Sequence, residues 1–227
     1  MVEPGRTYLP AAGHHWSLPL YDPVVKLLGG DGARELLLDQ AAVRPSHRVL
    51  DIGCGTGSLV VLIKRKYLNV DVVGLDPDPR ALARARRKGQ RAALSIQLDQ
   101  GFSDELPYPE CAFDRVFSSF MLHHLEAAEK ETTLREVRRV LKPGARFHLL
   151  DFATPDSNSA GRLGRWLHSS HRLKDNSDEQ ILSLMRQAGL TDPKRIAGRA
   201  LLVGHIAYYQ ASAPTSPPSA TRIAASG

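Results

Sequence analysis

Residues 49–57 read Val-Leu-Asp-Ile-Gly-Cys-Gly-Thr-Gly, and no other stretch of the 227-residue chain restricts its fold so tightly. Val49, Leu50 and Ile52 suit a buried strand, with Asp51 near its carboxyl end. Gly53, Gly55 and Gly57 follow at alternate positions, so the backbone can turn sharply and approach a ligand with no Cβ in the way. Cys54, inside the turn, reads as a small side chain tucked beneath it. Ser58-Leu59-Val60-Val61-Leu62-Ile63 then begins a helix whose free N–H groups point into the turn.

A second acid follows. Val70–Leu75 makes another short strand, stopped by Asp76-Pro77-Asp78-Pro79. A carboxylate about 20 residues past the last motif glycine is where a Rossmann-type sheet reads the ribose hydroxyls. Asp76 takes that role here and Asp78 the cap of the next helix, although either residue is a competent cap. The dinucleotide fingerprint wants Gly-x-Gly-x-x-Gly, and Ser58 stands where its third glycine belongs. The Asp51-x-Gly53-x-Gly55-x-Gly57 pattern resembles instead motif I of the class I S-adenosylmethionine-dependent methyltransferases. That resemblance implies a loop wrapped around the amino-acid end and ribose of the cofactor, with no phosphate bound.

Strands expected near 48–53, 70–75, 93–98, 113–119 and 145–151 alternate with helices near 58–67, 79–88 and 127–141, after a leading helix over 22–42. An irregular stretch, 154–176, precedes a helix from Asp178 to Ala188 and two strands near 193–198 and 201–210, whose short connection makes them antiparallel. The alternation gives an α/β fold, and the resemblance supplies its details. It implies a Rossmann-like, seven-stranded, mostly parallel sheet in the order 3-2-1-4-5-7-6, with strand 7 antiparallel and helices on both faces. Residues 1–21 are expected to form an N-terminal arm or lid, 22–211 the methyltransferase domain, and 212–227 a disordered tail rich in Ala, Ser, Thr and Pro.

The block Asp99–Leu125, with its Leu106-Pro107-Tyr108, Phe113-Asp114 and His123-His124 steps, narrows the family, and Leu141-Lys142-Pro143-Gly144 belongs to the same frame. Together these are similar to the methyltransferases of ubiquinone and menaquinone biosynthesis, a frame shared by many small-molecule methylations. The family's usual adenine-contacting acid corresponds to Phe102. Gly101 and Phe102 are therefore expected at the adenine, with Asp104 or Asp99 as substitute acceptors. Pro77 flanks the ribose acid. Ser118 and Ser119 end strand four and should line the floor near the sulfur. His123 is the expected catalytic base and His124 the alternative, since an imidazole titrating near neutrality can accept a substrate proton; either can instead be structural.

Substrate contacts are expected from the arm, through Tyr8, His14, His15, Trp16 and Tyr21, and from His168 and His171 after strand five. None of these histidines has the i, i+4 spacing with an acid of a zinc helix, so no metal is expected. The formal net charge of +6 draws on Arg80, Arg84, Arg86, Arg87, Lys88 and Arg91, then Arg135, Arg138 and Arg139. No aromatics interleave with them, so a solvated helix face is preferred to a nucleic-acid footprint. Two cysteines, no membrane-length apolar run and no signal-peptide pattern lead to an expected cytoplasmic location. The expected activity is S-adenosylmethionine-dependent methyl transfer to a small molecule, on C, O, N or S. A nonenzymatic cofactor- or partner-binding role and an NAD(P)-dependent oxidoreductase are the alternatives, and oligomeric state is open.

Overall fold

Successive apolar residues in each strand point to opposite faces, so one sheet builds two cores. The computed structural model describes residues 30–153, 177–201 and 204–215. Its elements run α1 (Gly30–Gln40), β1 (Arg48–Ile52), α2 (Ser58–Lys66), β2 (Asp71–Asp76), α3 (Pro79–Arg91), β3 (Gln97–Gln100), β4 (Phe113–Ser119), a 3₁₀ turn (Leu122–His124), α4 (Ala127–Val140), β5 (Leu141–Phe152), α5 (Asp178–Gln187), β6 (Thr191–Leu201) and β7 (Gly204–Ser212). The sheet has seven strands in the order β3-β2-β1-β4-β5-β7-β6. β7 pairs antiparallel with both β5 and β6, and the other pairings are parallel.

Val49, Val72, Phe117 and Leu150 pack under Leu37 and Leu38 of α1, Leu59 and Ile63 of α2, and Leu82 of α3. Their chain neighbours Leu50, Val73, Val116 and Leu149 pack under Leu134 and Val137 of α4 and Ile181 and Met185 of α5. Helices thus cover both faces, and the carboxyl ends of β1, β2 and β4 converge between the two layers.

Several boundaries differ from the sequence expectation: α3 runs to Arg91 rather than residue 88, β6 spans Thr191–Leu201 rather than 193–198, and three further differences have identifiable causes. The third strand starts at Gln97 rather than near residue 93. Ala93 takes φ 53°, and Leu94 N–H donates to Gly89 O at 3.0 Å, which closes α3 before the strand begins. β5 starts at Leu141, paired with Phe113, and a register shift at the Pro143-Gly144 kink precedes Arg146 opposite Arg115. At the other end, β7 runs through Ser212, and Ala213 N–H donates to Ala145 O, so pairing continues into the segment read as tail. No helix among the described residues is long and apolar enough to cross a membrane.

Candidate cofactor site

The turn after β1 uses all three glycines in the left-handed region: Gly53 at φ 67°, Gly55 at 53° and Gly57 at 76°. Space forbids a side chain as firmly as conformation does. A Cβ on Gly53 would sit 2.3 Å from Met121 Cγ, and one on Gly57 would sit 2.7 Å from Ala85 Cβ. Cys54 turns inward against Gly74 of β2, where burial pushes its thiol pKa up and leaves it inert. Above the turn lies a cavity of about 530 Å3. Of the residues expected to bind cofactor, Gly53, Cys54, Gly55, Asp76, Pro77, Gly101, Phe102 and Ser119 line it. Asp51, Gly57 and Ser118 are not among its lining residues.

Asp76 ends β2 with its carboxylate on the loop. One oxygen accepts Gly55 N–H at 2.8 Å and the other accepts Asp78 N–H at 2.9 Å. Burial raises its pKa to about 6 against those two bonds, which act to lower it. Asp78 accepts Arg80 N–H at 2.8 Å and caps α3. Asp51 lies one layer deeper, 1% exposed, and neither carboxylate oxygen has a hydrogen-bond partner. Burial pushes its pKa up to about 8, opposed by the Arg34 guanidinium and assisted by Asp76.

Arg34 was not singled out from the sequence. It is 6% exposed on α1, lines the cavity and packs 5.5 Å from the centroid of Phe120. Its signal was present all the same, because Ala33, Leu37 and Leu38 make the buried face of that helix and a lone arginine shares it. On the far wall, Gly101 N–H donates to Asp76 O, and a Cβ there would meet Leu75 Cδ1 at 2.9 Å. Ser103, rather than Asp104 or Asp99, joins Phe102 in the lining. Asp99 accepts from Tyr108 Oη and Gln97 Nε2.

The two histidines divide. His123 Nδ1 lies 2.5 Å from Asp151 Oδ1, and its backbone N–H donates to Asp151 Oδ2 at 2.9 Å. Phe152 N–H donates to the same carboxylate, which is 1% exposed at the end of β5. The neutral ring then carries its proton on Nδ1, with Nε2 as acceptor. His123 is not among the lining residues, whereas His124 is, and the two ring centroids lie 4.0 Å apart. Both side chains are placed by the turn after Phe120, a non-glycine residue at φ 56° that also lines the cavity. Asp151, like Arg34, was missed in the sequence, where an acid closing an apolar strand was its only mark.

Residues 49–144 match the model of a methyltransferase domain. A demethylmenaquinone methyltransferase of Thermus thermophilus is 35% identical over 150 residues, covering 65% of this chain and 67% of that protein. The chain belongs to the S-adenosylmethionine-dependent methyltransferases. A demethylmenaquinone methyltransferase of Deinococcus radiodurans is 36% identical over 158 residues, covering 68% of this chain and 64% of that one. The chain thus spans about two-thirds of the length of these curated relatives. The solved structure of the YcgJ protein of Bacillus subtilis shares the fold with a TM-score of 0.67 at 20% identity, over 82% of this chain and 99% of that one.

The cofactor of this methyltransferase family is S-adenosylmethionine, and the residues present fit it: a turn whose glycines at 53 and 57 leave no room for a Cβ, a carboxylate anchored at the cavity wall, and an orphaned buried acid beneath. Among the described residues no group of three or more His, Cys, Asp or Glu is arranged to hold a metal. Tyr8, His14, His15, Trp16, Tyr21, His168 and His171 lie outside the described residues.

Proposed function

We propose that this methyltransferase transfers the methyl group of S-adenosylmethionine to a small aromatic acceptor of the quinol type. Asp76 carries the reading: a buried carboxylate fixed by two backbone donors keeps its remaining lone pairs at the cavity wall for two ribose hydroxyls. The names of the relatives support the acceptor class. When bound, the cofactor supplies a methyl group activated by the positive charge on its sulfur.

The chain's own residues then bind, orient and move a proton. Gly53–Gly57 shape the floor for the amino-acid end. Arg34 offers its guanidinium to that end's carboxylate, and Asp51, held neutral by burial in the cofactor-free fold, gives up its proton when the ammonium settles above it. Gly101, Phe102 and Ser103 hold the adenine side, while Ser119 and Phe120 close the floor near the sulfur. His124 faces the acceptor and takes the proton of its hydroxyl, and His123, oriented by Asp151, fixes His124 from behind. Met121 and Leu125 keep water from the cavity wall.

Calorimetric titration with S-adenosylhomocysteine should give saturable one-site binding. Labelled methyl should then pass to a reduced demethylated naphthoquinol and not to its oxidised quinone, which has no hydroxyl to deprotonate. A panel of phenols, amines and thiols completes the assay. Methylation of amines or thiols alone would overturn the acceptor class, and absence of cofactor binding would overturn the whole reading.

A further inference from the structure

Helix α3 reads Pro-Arg-Ala-Leu-Ala-Arg-Ala-Arg-Arg-Lys-Gly-Gln-Arg, with six basic residues and no acid. Those six equal the formal net charge of +6, so the other 24 Lys and Arg of the chain balance its 24 Asp and Glu. This one 13-residue helix, about 20 Å long, thus carries as much positive charge as the net excess of the whole chain.

Its arrangement is one-sided. Ala81, Leu82, Ala85 and Gly89 are buried, and Ala85 packs against the turn at Gly57. At about 100° per residue, Arg80, Arg84, Arg87 and Arg91 fall within an arc of roughly 60° on the opposite side. Arg80, Arg87 and Arg91 are exposed, Arg84 is half-buried, and Arg86 lies exposed beside the stripe. Ion pairs elsewhere engage Arg48, Lys66, Arg135, Arg139, Lys142 and Arg195. Among the described residues Arg80, Arg84, Arg86 and Arg91 form none. The stripe begins three residues past Pro77, which lines the cavity, so it starts at the cavity's rim.

We infer that this face of α3 docks the protein on an anionic lipid surface. A row of arginines without outward apolar residues binds by charge and does not insert. A nucleic-acid surface fits less well, because no aromatic or amide side chain accompanies the arginines except Gln90. The choice of a bilayer rests on the quinol acceptor proposed above, which partitions into a bilayer when it carries an alkyl chain. Docking itself is read without methyl transfer, so a failed acceptor assay leaves the vesicle result standing.

The test is co-sedimentation of the full chain with phosphatidylglycerol/phosphatidylcholine vesicles and with pure phosphatidylcholine. Binding is expected only to the anionic vesicles and should fall steeply with salt. Each arginine at an anionic surface is worth about 1 kcal/mol, or roughly five-fold. Replacing Arg80, Arg84, Arg87 and Arg91 by glutamine should therefore weaken binding by roughly 100-fold or more while S-adenosylhomocysteine affinity is kept. A control that removes the same charge elsewhere (R44Q, R65Q, R135Q and R186Q) should bind nearly as wild type. Equal losses in both variants would reduce the effect to net charge and overturn the proposal. So would absence of vesicle binding, or tighter binding to an oligonucleotide of matched charge.

Discussion

Replacing Asp51 by asparagine measures the electrostatics beneath the glycine loop directly. In the folded protein burial holds this carboxyl at a pKa of about 8, against an ordinary aspartate value of 3.8. Between those values the folded state binds a proton that the unfolded chain has released, so stability falls as pH rises and is lowest above pH 8. At about 1.4 kcal/mol per unit, the window from 3.8 to about 8 amounts to roughly 6 kcal/mol. Asparagine is nearly isosteric with the protonated acid, and neither oxygen of Asp51 has a donor to lose. Wild type and variant should therefore melt together near pH 4 and diverge progressively, the variant higher, until the gap saturates above pH 8. At roughly 2–4 °C per kcal/mol for a chain of this size, the final gap is about 10 °C or more. Thermal melts of the cofactor-free proteins from about pH 4.5 to 8.5 read it out. His148, whose pKa burial lowers to about 3, gives the opposite slope but is common to both proteins and cancels. A pH-independent difference, or a variant that melts lower at high pH, would show that Asp51 is ionised and paired in the fold. The same variant should bind S-adenosylhomocysteine more weakly than wild type if Asp51 serves the ligand's ammonium.

Gly53→Ala combines a left-handed φ with a Cβ 2.3 Å from Met121 Cγ; it should cost about 2 kcal/mol or more in denaturant melts, and Met121→Ala in the same chain should recover part of the loss. Asp76→Asn should lower S-adenosylhomocysteine affinity by roughly 10–100-fold in calorimetry, since each charge-assisted bond is worth about 1.5–3 kcal/mol. His124→Ala should cut kcat by about 100-fold or more with the S-adenosylhomocysteine Kd unchanged. Asp151→Asn should lower kcat by less than His124→Ala does, and full turnover in His124→Ala would exclude that residue as the base.

The α/β alternation, the glycine turn and the cap at Asp78 were legible because each rests on local chemistry (hydrophobic period, positive φ and an acid before a helix), whereas the strand order followed from the family resemblance. The start of β3 was not, because Ala93 occupies the left-handed position that glycine normally announces. Leu94 and Ile96 then looked like strand residues while one closes α3 and the other packs on Gly89. Which histidine faces the cavity was equally hidden. That depends on Phe120 at φ 56° and on Asp151, 28 residues from His123 in sequence, neither of which a linear pattern reports. Arg34 was within reach, as a charge on an apolar helix face, but only the fold shows that this face looks onto the cofactor loop.

The sheet also ends in a strand that invites strangers. β6 is 11 residues long and mostly exposed, and among the described residues it pairs only with β7. Such an edge is a template for cross-chain pairing and, in a crowded cell, for aggregation. This one is blunted along its length: Pro193 lacks a donor, Lys194 and Arg199 place like charges on any approaching copy, and register shifts after Thr191 and Arg195 break the row of amides. Removing those residues, rather than touching the cofactor site, is the shortest route from a well-behaved chain to an insoluble one.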